Sequence, residues 1–465
     1  MDLLDVRSLP FLTRRNYVQE FKQIIPWSVL AGLVEGQFAS VIVSKTFDGS
    51  ELMIAIASAT PVAALMSSLV WGMLCIGRPK IRLAILFSAG ATICAGTIGA
   101  IPQSPVGAIW FICQMAAAQV LLAGVVTVRT AFWKSNFPRE VRGRITARLQ
   151  AARFVISVAT VLAASALCDQ DSSSYRFIYP VAAVFGTVGI WLFGGIRIRG
   201  ERGELRRGRR PSENGSWSGM VEPFNITALL SPKHVLRNMV GVLRGDERFR
   251  RYCVAQLMTG ISNLMTISVI VLVVTRDLDL GVRSEFWIST VLIMALPRMV
   301  MLGTLSRWGR LFDRIGVIRF RVINVQLWTV SLVFGMAATV VTVSSPEFGG
   351  VAFLTAVGFF TLRAIFQGMG YGGAALAWQL GHLHFAKPEQ AEIYMGIHVF
   401  LTGVRGLVAP LGGMWLWQGC IKWSFPVWIP WSIAIALSLL SLALFAAMAK
   451  DESQRDLQTP HVSSR

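Results

Sequence analysis

Hydrophobic residues along the chain come in long blocks, separated by short polar segments that are mostly basic. Each block contains about 20 residues, the length that an α-helix needs to cross a bilayer. The alternation therefore predicts twelve transmembrane helices, at 24–44, 52–76, 83–103, 107–131, 151–168, 178–197, 251–274, 286–305, 322–344, 350–379, 391–417 and 425–448.

The composition agrees with this pattern. Of the 465 residues, 54% are hydrophobic and only 15% are charged. A soluble protein carries about 25% charged residues. We therefore expect an all-α polytopic integral membrane protein.

The net charge of +19 is distributed according to the order of the predicted helices. Fourteen Lys and Arg residues lie in the connecting segments 77–82, 132–150, 306–321 and 380–390, against five in the alternate segments. The positive-inside rule then predicts that both termini are cytoplasmic, in the plasma (inner) membrane. The basic residues are expected to contact anionic membrane lipids, and binding to nucleic acid is not expected.

The predicted helices fall into two sets of six. We expect an N-terminal half at 1–197, a basic cytoplasmic linker at 198–250, a C-terminal half at 251–448 and a cytoplasmic tail at 449–465. The linker is predicted to be a tether on the cytoplasmic leaflet.

A repeat relates the two halves. At a constant offset of 228 residues, Gly32 corresponds to Gly260, and the run Ser40–Val43 corresponds to Ser268–Val271. These matches occur in the same order in both halves. They favour a parallel duplication of a six-helix unit.

The segment Gly309–Gly316 lies between predicted helices eight and nine and reads G-x-x-x-D-R-x-G. We expect a charged tight turn at the membrane surface, with glycines that allow close approach of backbones. The pattern resembles the signature loop of the major facilitator superfamily of secondary transporters. The first half departs from it, because Ile76 stands where that family has an aspartate.

The resemblance implies a fold of twelve helices in two pseudo-symmetric six-helix bundles. It also implies a gating loop made of Gly309, Asp313, Arg314 and Gly316. In this family the aspartate of the loop contacts the start of helix five. Here it would latch the halves near one of three arginines, Arg142, Arg144 or Arg148.

A second pattern lies in predicted helix ten, from Arg363 through Gln367-Gly368 to Gly370. It resembles the R-x-x-Q-G-x-G motif of helix four in the same family, where the arginine is linked to proton coupling. The spacing differs by one residue, and the motif stands in the other half. The glycines also indicate close helix packing.

Four ionisable residues lie deep inside predicted helices, namely Glu35, Arg298, Arg363 and Arg405. Such residues are rare in membranes and usually face a cavity. The three arginines would form a cationic cluster suited to carboxylate or phosphate, and Glu35 is a candidate proton carrier. In the alternative, Glu35 pairs with an arginine across the halves. Arg129 is expected to reach the headgroups.

Polar residues supply a second set of candidate contacts. Gln37, Gln114, Asn263 and Gln367 lie in predicted helices one, four, seven and ten, which line the cavity in this family. Asn263 occupies the repeat position of Glu35. Each side chain also suits a hydrogen bond between helices.

These observations predict a secondary active transporter that moves a small organic anion by alternating access, with H+ as the candidate coupling ion. A polyspecific drug–proton antiporter and a lipid translocase of the same fold are the alternatives. No catalytic constellation of an enzyme is found, and no cofactor or metal is predicted. The expected partners are a small-molecule solute and membrane lipids, and the protein is expected to be a monomer.

Overall fold

The computed structural model describes residues 9–75, 78–199, 201, 203, 205, 232–278, 285–344, 350–386 and 391–458. All regular structure in these ranges is helical. Eleven helices are long and apolar enough to cross a membrane, and the bent pair Thr13–Val34 and Phe38–Lys45 makes a twelfth if it is one span. The predicted all-α polytopic membrane fold is therefore confirmed.

One compact unit comprises the described residues of Met1–Val240 and Leu280–Thr290. Two of its helices begin with side-chain caps: Ser50 accepts a hydrogen bond from the Met53 N–H, and Ser104 accepts one from the Gly107 N–H. Such caps satisfy backbone donors that have no partner within the helix. The helices are α1 Phe11–Val34, α2 Phe38–Lys45, α3 Glu51–Ala63, α4 Ser68–Cys75, α5 Lys80–Thr97, α6 Pro105–Asn136, α7 Arg139–Gln170 and α8 Tyr175–Phe193.

The second unit comprises the described residues of Gly241–Asp279 and Val291–Arg465. The short helix Glu285–Thr290 belongs to the first unit, and the helix Leu296–Ile315 follows it after a π-helical segment, Val291–Ala295. The remaining helices in chain order are α9 Pro232–Gly245, α10 Glu247–Met265, α11 Ile267–Leu272, α12 Glu285–Thr290, α13 Leu296–Ile315, α14 Val317–Ser344, α15 Val351–Leu380, α16 Ala391–Lys422 and α17 Ile429–Gln458.

The first helix of each half is interrupted at nearly the same place in the repeat. The helix α1 ends at Val34 and α2 begins at Phe38, with a bend of 43° between them. In the second half α10 ends at Met265 and α11 begins at Ile267. The span predicted at 24–44 therefore corresponds to a bent pair of helices, and Glu35 lies at the break.

The predicted signature loop is mostly helical. The helix continues through Gly309, so Gly309 and Arg314 lie in the last two turns of α13. The turn itself is the single residue Gly316, whose φ of 73° favours glycine and whose N–H donates to the Phe312 carbonyl at 3.1 Å. In the part of the chain that the structure describes, nothing lies within 4 Å of a Cβ built on Gly309 or Gly316, so no close packing by either glycine is seen there.

The latch predicted for Asp313 lies outside the described residues. The backbones of Asp313, Arg142 and Arg144 are described, and their side chains are not. Arg314 is exposed, and Arg148 is buried.

Candidate functional site

Glu35 directly follows α1, and its carboxylate forms an ion pair with Arg153 of α7, in the same unit. The Glu35 side chain is 26% exposed and that of Arg153 is 14% exposed. The ion pair that the alternative placed across the halves is thus made within one unit. Arg153 was missed because it follows a basic segment, where it resembles an arginine that flanks a membrane helix.

Polar side chains form hydrogen bonds at the break between α1 and α2. Gln119 donates to the Val34 carbonyl at 2.9 Å, an acceptor that the interrupted helix leaves available. Gln37 donates to the Ser58 carbonyl at 3.3 Å and accepts from the Ser40 hydroxyl at 3.0 Å. The backbone around Glu35 is thus held by hydrogen bonds from neighbouring helices.

A second ion pair in the same unit is more fully buried. Glu20 is fully buried, and its carboxylate lies 3.2 Å from the Arg129 Nε. Arg129 also donates to Gln23 at 2.9 Å, and the Trp133 indole N–H donates to Glu20 at 3.3 Å. The expectation that Arg129 reaches the headgroups is wrong, because Arg129 is 95% buried beside a carboxylate.

In the second unit, Arg363, Gln367 and Tyr371 stand at intervals of four residues on α15 and share one helix face. The Gln367 amide donates to the Tyr371 hydroxyl at 3.3 Å. Arg298 of α13 and Arg363 both lie within electrostatic range of that hydroxyl. The Trp328 ring meets Tyr371 edge-on, with centroids 5.0 Å apart.

The glycines of α15 bring these side chains together. A Cβ on Gly368 would collide with the carbonyl of Pro297, so only glycine allows α13 to approach at the residue before Arg298. On another side of the helix, Asn324 of α14 donates to the Gly370 carbonyl at 2.8 Å. The predicted close packing of this segment is confirmed.

Arg298 and Arg363 have no acidic partner in the described part of the chain. Among the described residues, no carboxylate lies within ion-pair distance of either guanidinium, although Arg363 is 95% buried. A buried charge without a partner is unfavourable unless a counterion or ligand compensates it. This arrangement suits an anionic ligand, which guanidinium groups bind through paired hydrogen bonds.

The third predicted arginine, Arg405, belongs to a different set of contacts. Its guanidinium donates to the Gln256 carbonyl at 2.7 Å, and its side chain packs against Gly260 of α10. The neighbouring Arg321 is 99% buried and donates to the Tyr252 hydroxyl at 3.3 Å. Arg321 was missed because it borders a basic segment.

The two remaining predicted contacts, Gln114 and Asn263, are half-buried. The side-chain carbonyl oxygen of each is buried and accepts no hydrogen bond within the described part of the chain. Neither residue forms a contact that separates a role in binding from a role in packing.

Helices that can cross a membrane, with charged side chains buried inside them, are typical of a multi-pass membrane protein of the transporter class. The sequence profile of the Major Facilitator Superfamily matches residues 27–410. The chain belongs to this superfamily.

Solved structures of other transporters share the fold. A peptide transporter POT in complex with sulfate is 13% identical with a TM-score of 0.64, covering 97% of this chain and 99% of that chain. The nucleoside transporter NupG is 11% identical with a TM-score of 0.60, covering 94% and 99%. A D-xylose-proton symporter is 12% identical with a TM-score of 0.61, covering 93% and 96%. No curated protein sequence matches the chain.

Proposed function

We propose that the protein is a proton-linked carrier of a small organic anion that works by alternating access, with both termini cytoplasmic in the plasma (inner) membrane. The observation that carries the proposal is the pair of guanidinium groups around Tyr371, Arg298 and Arg363, with no carboxylate partner among the described residues. A solute carboxylate would supply the missing negative charge.

The surroundings of Arg363 narrow the class of solute. Gln367 stands one helical turn away, and its amide oxygen accepts no hydrogen bond in the described structure. A hydroxyl or amino group of the solute would satisfy this acceptor. The favoured substrate is therefore a small carboxylate that carries a hydrogen-bond donor near the carboxyl group.

Proton coupling is assigned to Glu35. Protonation removes the charge that holds Arg153, so it would break the Glu35–Arg153 pair and allow α7 to move relative to the break after α1. The fold shared with a D-xylose-proton symporter supports H+ as the coupling ion. Asp313 and Arg314, framed by Gly309 and Gly316, remain the proposed gating residues.

The rival function is efflux of cationic drugs in exchange for protons. Such a carrier needs a carboxylate that is available to the drug, and Glu35 is engaged by Arg153. The anion carrier is favoured for this reason. A lipid translocase would use the same guanidinium groups to hold a phospholipid headgroup.

The test is a thermal-shift screen of the purified protein against anionic, neutral and cationic solutes and phospholipid headgroups. A ligand at 100 times its dissociation constant stabilises the folded state by about 2.7 kcal/mol, which is detectable. Hydroxy or amino carboxylates should stabilise the wild type, and the shift should vanish in Arg363→Gln. Arg176→Gln, which removes an exposed arginine, is the matched control.

Uptake into proteoliposomes then tests the coupling. The hit from the screen should accumulate in response to a pH gradient, and Glu35→Gln should keep binding but lose that response. If only lipophilic cations shift the wild type, and Glu35→Gln abolishes the shift, the protein is a drug antiporter. If only phospholipid headgroups shift the melting temperature of the wild type, the protein is a lipid translocase.

A further inference from the structure

A small cavity lies beside Arg405 in the second unit, away from the residues around Tyr371. It holds about 190 Å³ of empty space, including its open mouth. The helices α10 and α16 supply its walls, through Cys253, Gln256, Leu257, His398, Thr402 and Arg405.

The charge around this cavity is positive. Arg405 faces it, and Arg321 lies within electrostatic range of Arg405. No carboxylate of the described residues pairs with either guanidinium. Asp246, which caps α10, is engaged by the Phe249 N–H and the Tyr394 hydroxyl, both at 2.9 Å.

Three polar groups at the cavity have no partner. The His398 Nε2, the Gln256 amide oxygen and the Arg405 Nε are buried and form no hydrogen bond in the described structure. His398 is 97% buried and Gln256 is 93% buried. Buried polar groups are normally satisfied, so these groups indicate a ligand with matching oxygens and protons.

We propose that this cavity is a binding site for a small inorganic oxyanion, of which phosphate fits best. Most of that space belongs to the open mouth, so the cavity itself suits only an ion of a few atoms. The Arg405 Nε would donate to the anion, and Arg321 would add attraction at longer range. The unpartnered Gln256 oxygen needs a donor, which a protonated phosphate offers and sulfate lacks.

The site is independent of the proposed transport function. It shares no residue with the Arg298, Arg363 and Tyr371 cluster. A bound oxyanion would join α10 to α16, and it would offset the repulsion between Arg321 and Arg405. Phosphate is therefore expected to stabilise the protein without being the transported solute.

The test is binding of radiolabelled inorganic phosphate to the purified full-length protein, with melting temperatures recorded alongside. The wild type should bind one phosphate and melt at a higher temperature. Arg405→Gln should weaken binding by about tenfold or more, as expected for loss of a hydrogen bond to a charged group. Gln256→Leu should weaken phosphate binding and leave the response to sulfate unchanged, and it covers the case in which Arg405→Gln fails to fold.

The matched control is Arg363→Gln, which should keep the phosphate response while losing the response to organic anions. Equal stabilisation by phosphate, sulfate and chloride would show only salt screening and overturn the proposal. Equal loss of phosphate binding in Arg363→Gln and Arg405→Gln would also overturn it, since both arginines would then serve one site.

Discussion

The first unit pairs one buried and one half-buried carboxylate with arginines of neighbouring helices, whereas the second unit holds buried and half-buried arginines with no acid beside them in the described structure. Glu20 faces Arg129, and Glu35 faces Arg153. In the second unit, the corresponding inventory is four guanidinium groups, those of Arg298, Arg321, Arg363 and Arg405. In the first unit these buried acids and arginines compensate one another. In the second unit the four arginines need negative charge from outside the described side chains.

The repeat shows where the two units diverge. Glu35 stands at the break of the first helix, and the equivalent residue 228 positions later is Asn263. Each first helix also packs against the fifth helix of its half, where Arg153 and Arg405 reside. The second unit also has an arginine on this helix, at a different repeat position, and has a neutral amide in place of the acid. This difference points to charge compensation by a ligand.

The largest expected effect comes from breaking a pair in the first unit. Arg129→Met leaves Glu20 buried without a counterion, which should lower the free energy of unfolding by about 3–5 kcal/mol. Denaturation of the purified protein measures this loss. The double variant Glu20→Leu/Arg129→Met should recover most of the stability. If the double variant is as unstable as the single one, packing and not charge holds this site.

The opposite outcome is expected in the second unit. Arg321→Met removes a buried cation that has no acidic partner, so stability in phosphate-free buffer should be unchanged or rise by about 1 kcal/mol. The same unfolding measurement applies. A loss as large as that of Arg129→Met would mean that Arg321 is compensated within the protein, and the contrast between the units would fail.

A third change would make the second unit resemble the first. Asn263→Glu places a carboxylate on the face of α10 that carries Gln256 and Gly260, next to Arg405. The new acid should neutralise Arg405 and lower phosphate affinity about tenfold, with a stability change below about 1 kcal/mol. Phosphate binding reports the outcome. Asn263→Gln, which adds length without charge, should bind phosphate as the wild type does.

The smallest effect concerns His382, which lies beyond the end of the tenth span. Burial lowers the pKa of His382 to about 4, from an ordinary value near 6.5. Between these two pH values His382 binds a proton in the unfolded chain but not in the folded protein. The free energy of unfolding should therefore fall as the pH drops from about 6.5 to 4. Melting temperatures at pH 7.5 and 5 should differ less in His382→Gln. The control is His384→Gln, at an exposed neighbour.

The helices were predictable because each apolar block matches the thickness of a bilayer. The break at Glu35 was not, because the apolar pattern continues across it and the bend is stabilised by Gln119, from a distant helix. The extent of α13 was misjudged for a simpler reason. Charged residues indicate a surface but do not end a helix, which continues until Gly316.

The candidate site was predictable in part. Arg298 and Arg363 stood out because charge inside an apolar block is rare, and the structure places both near Tyr371. Glu20 and Arg321 did not stand out, because they lie at the ends of blocks, where charged residues usually meet water or headgroups. The ion pair between Glu35 and Arg153 could not be predicted either, because the two residues are far apart in the sequence and meet only in the folded unit.

The one-residue connection at Gly316 has a mechanical consequence. Because a single residue connects α13 and α14, the two helices form a stiff hairpin. A tilt of one helix must therefore be transmitted to the other. Any other residue at the backbone angles of Gly316 would be strained by about 1–3 kcal/mol. Arg298 lies on α13 and Trp328 lies on α14. The two side chains would therefore move together relative to Tyr371.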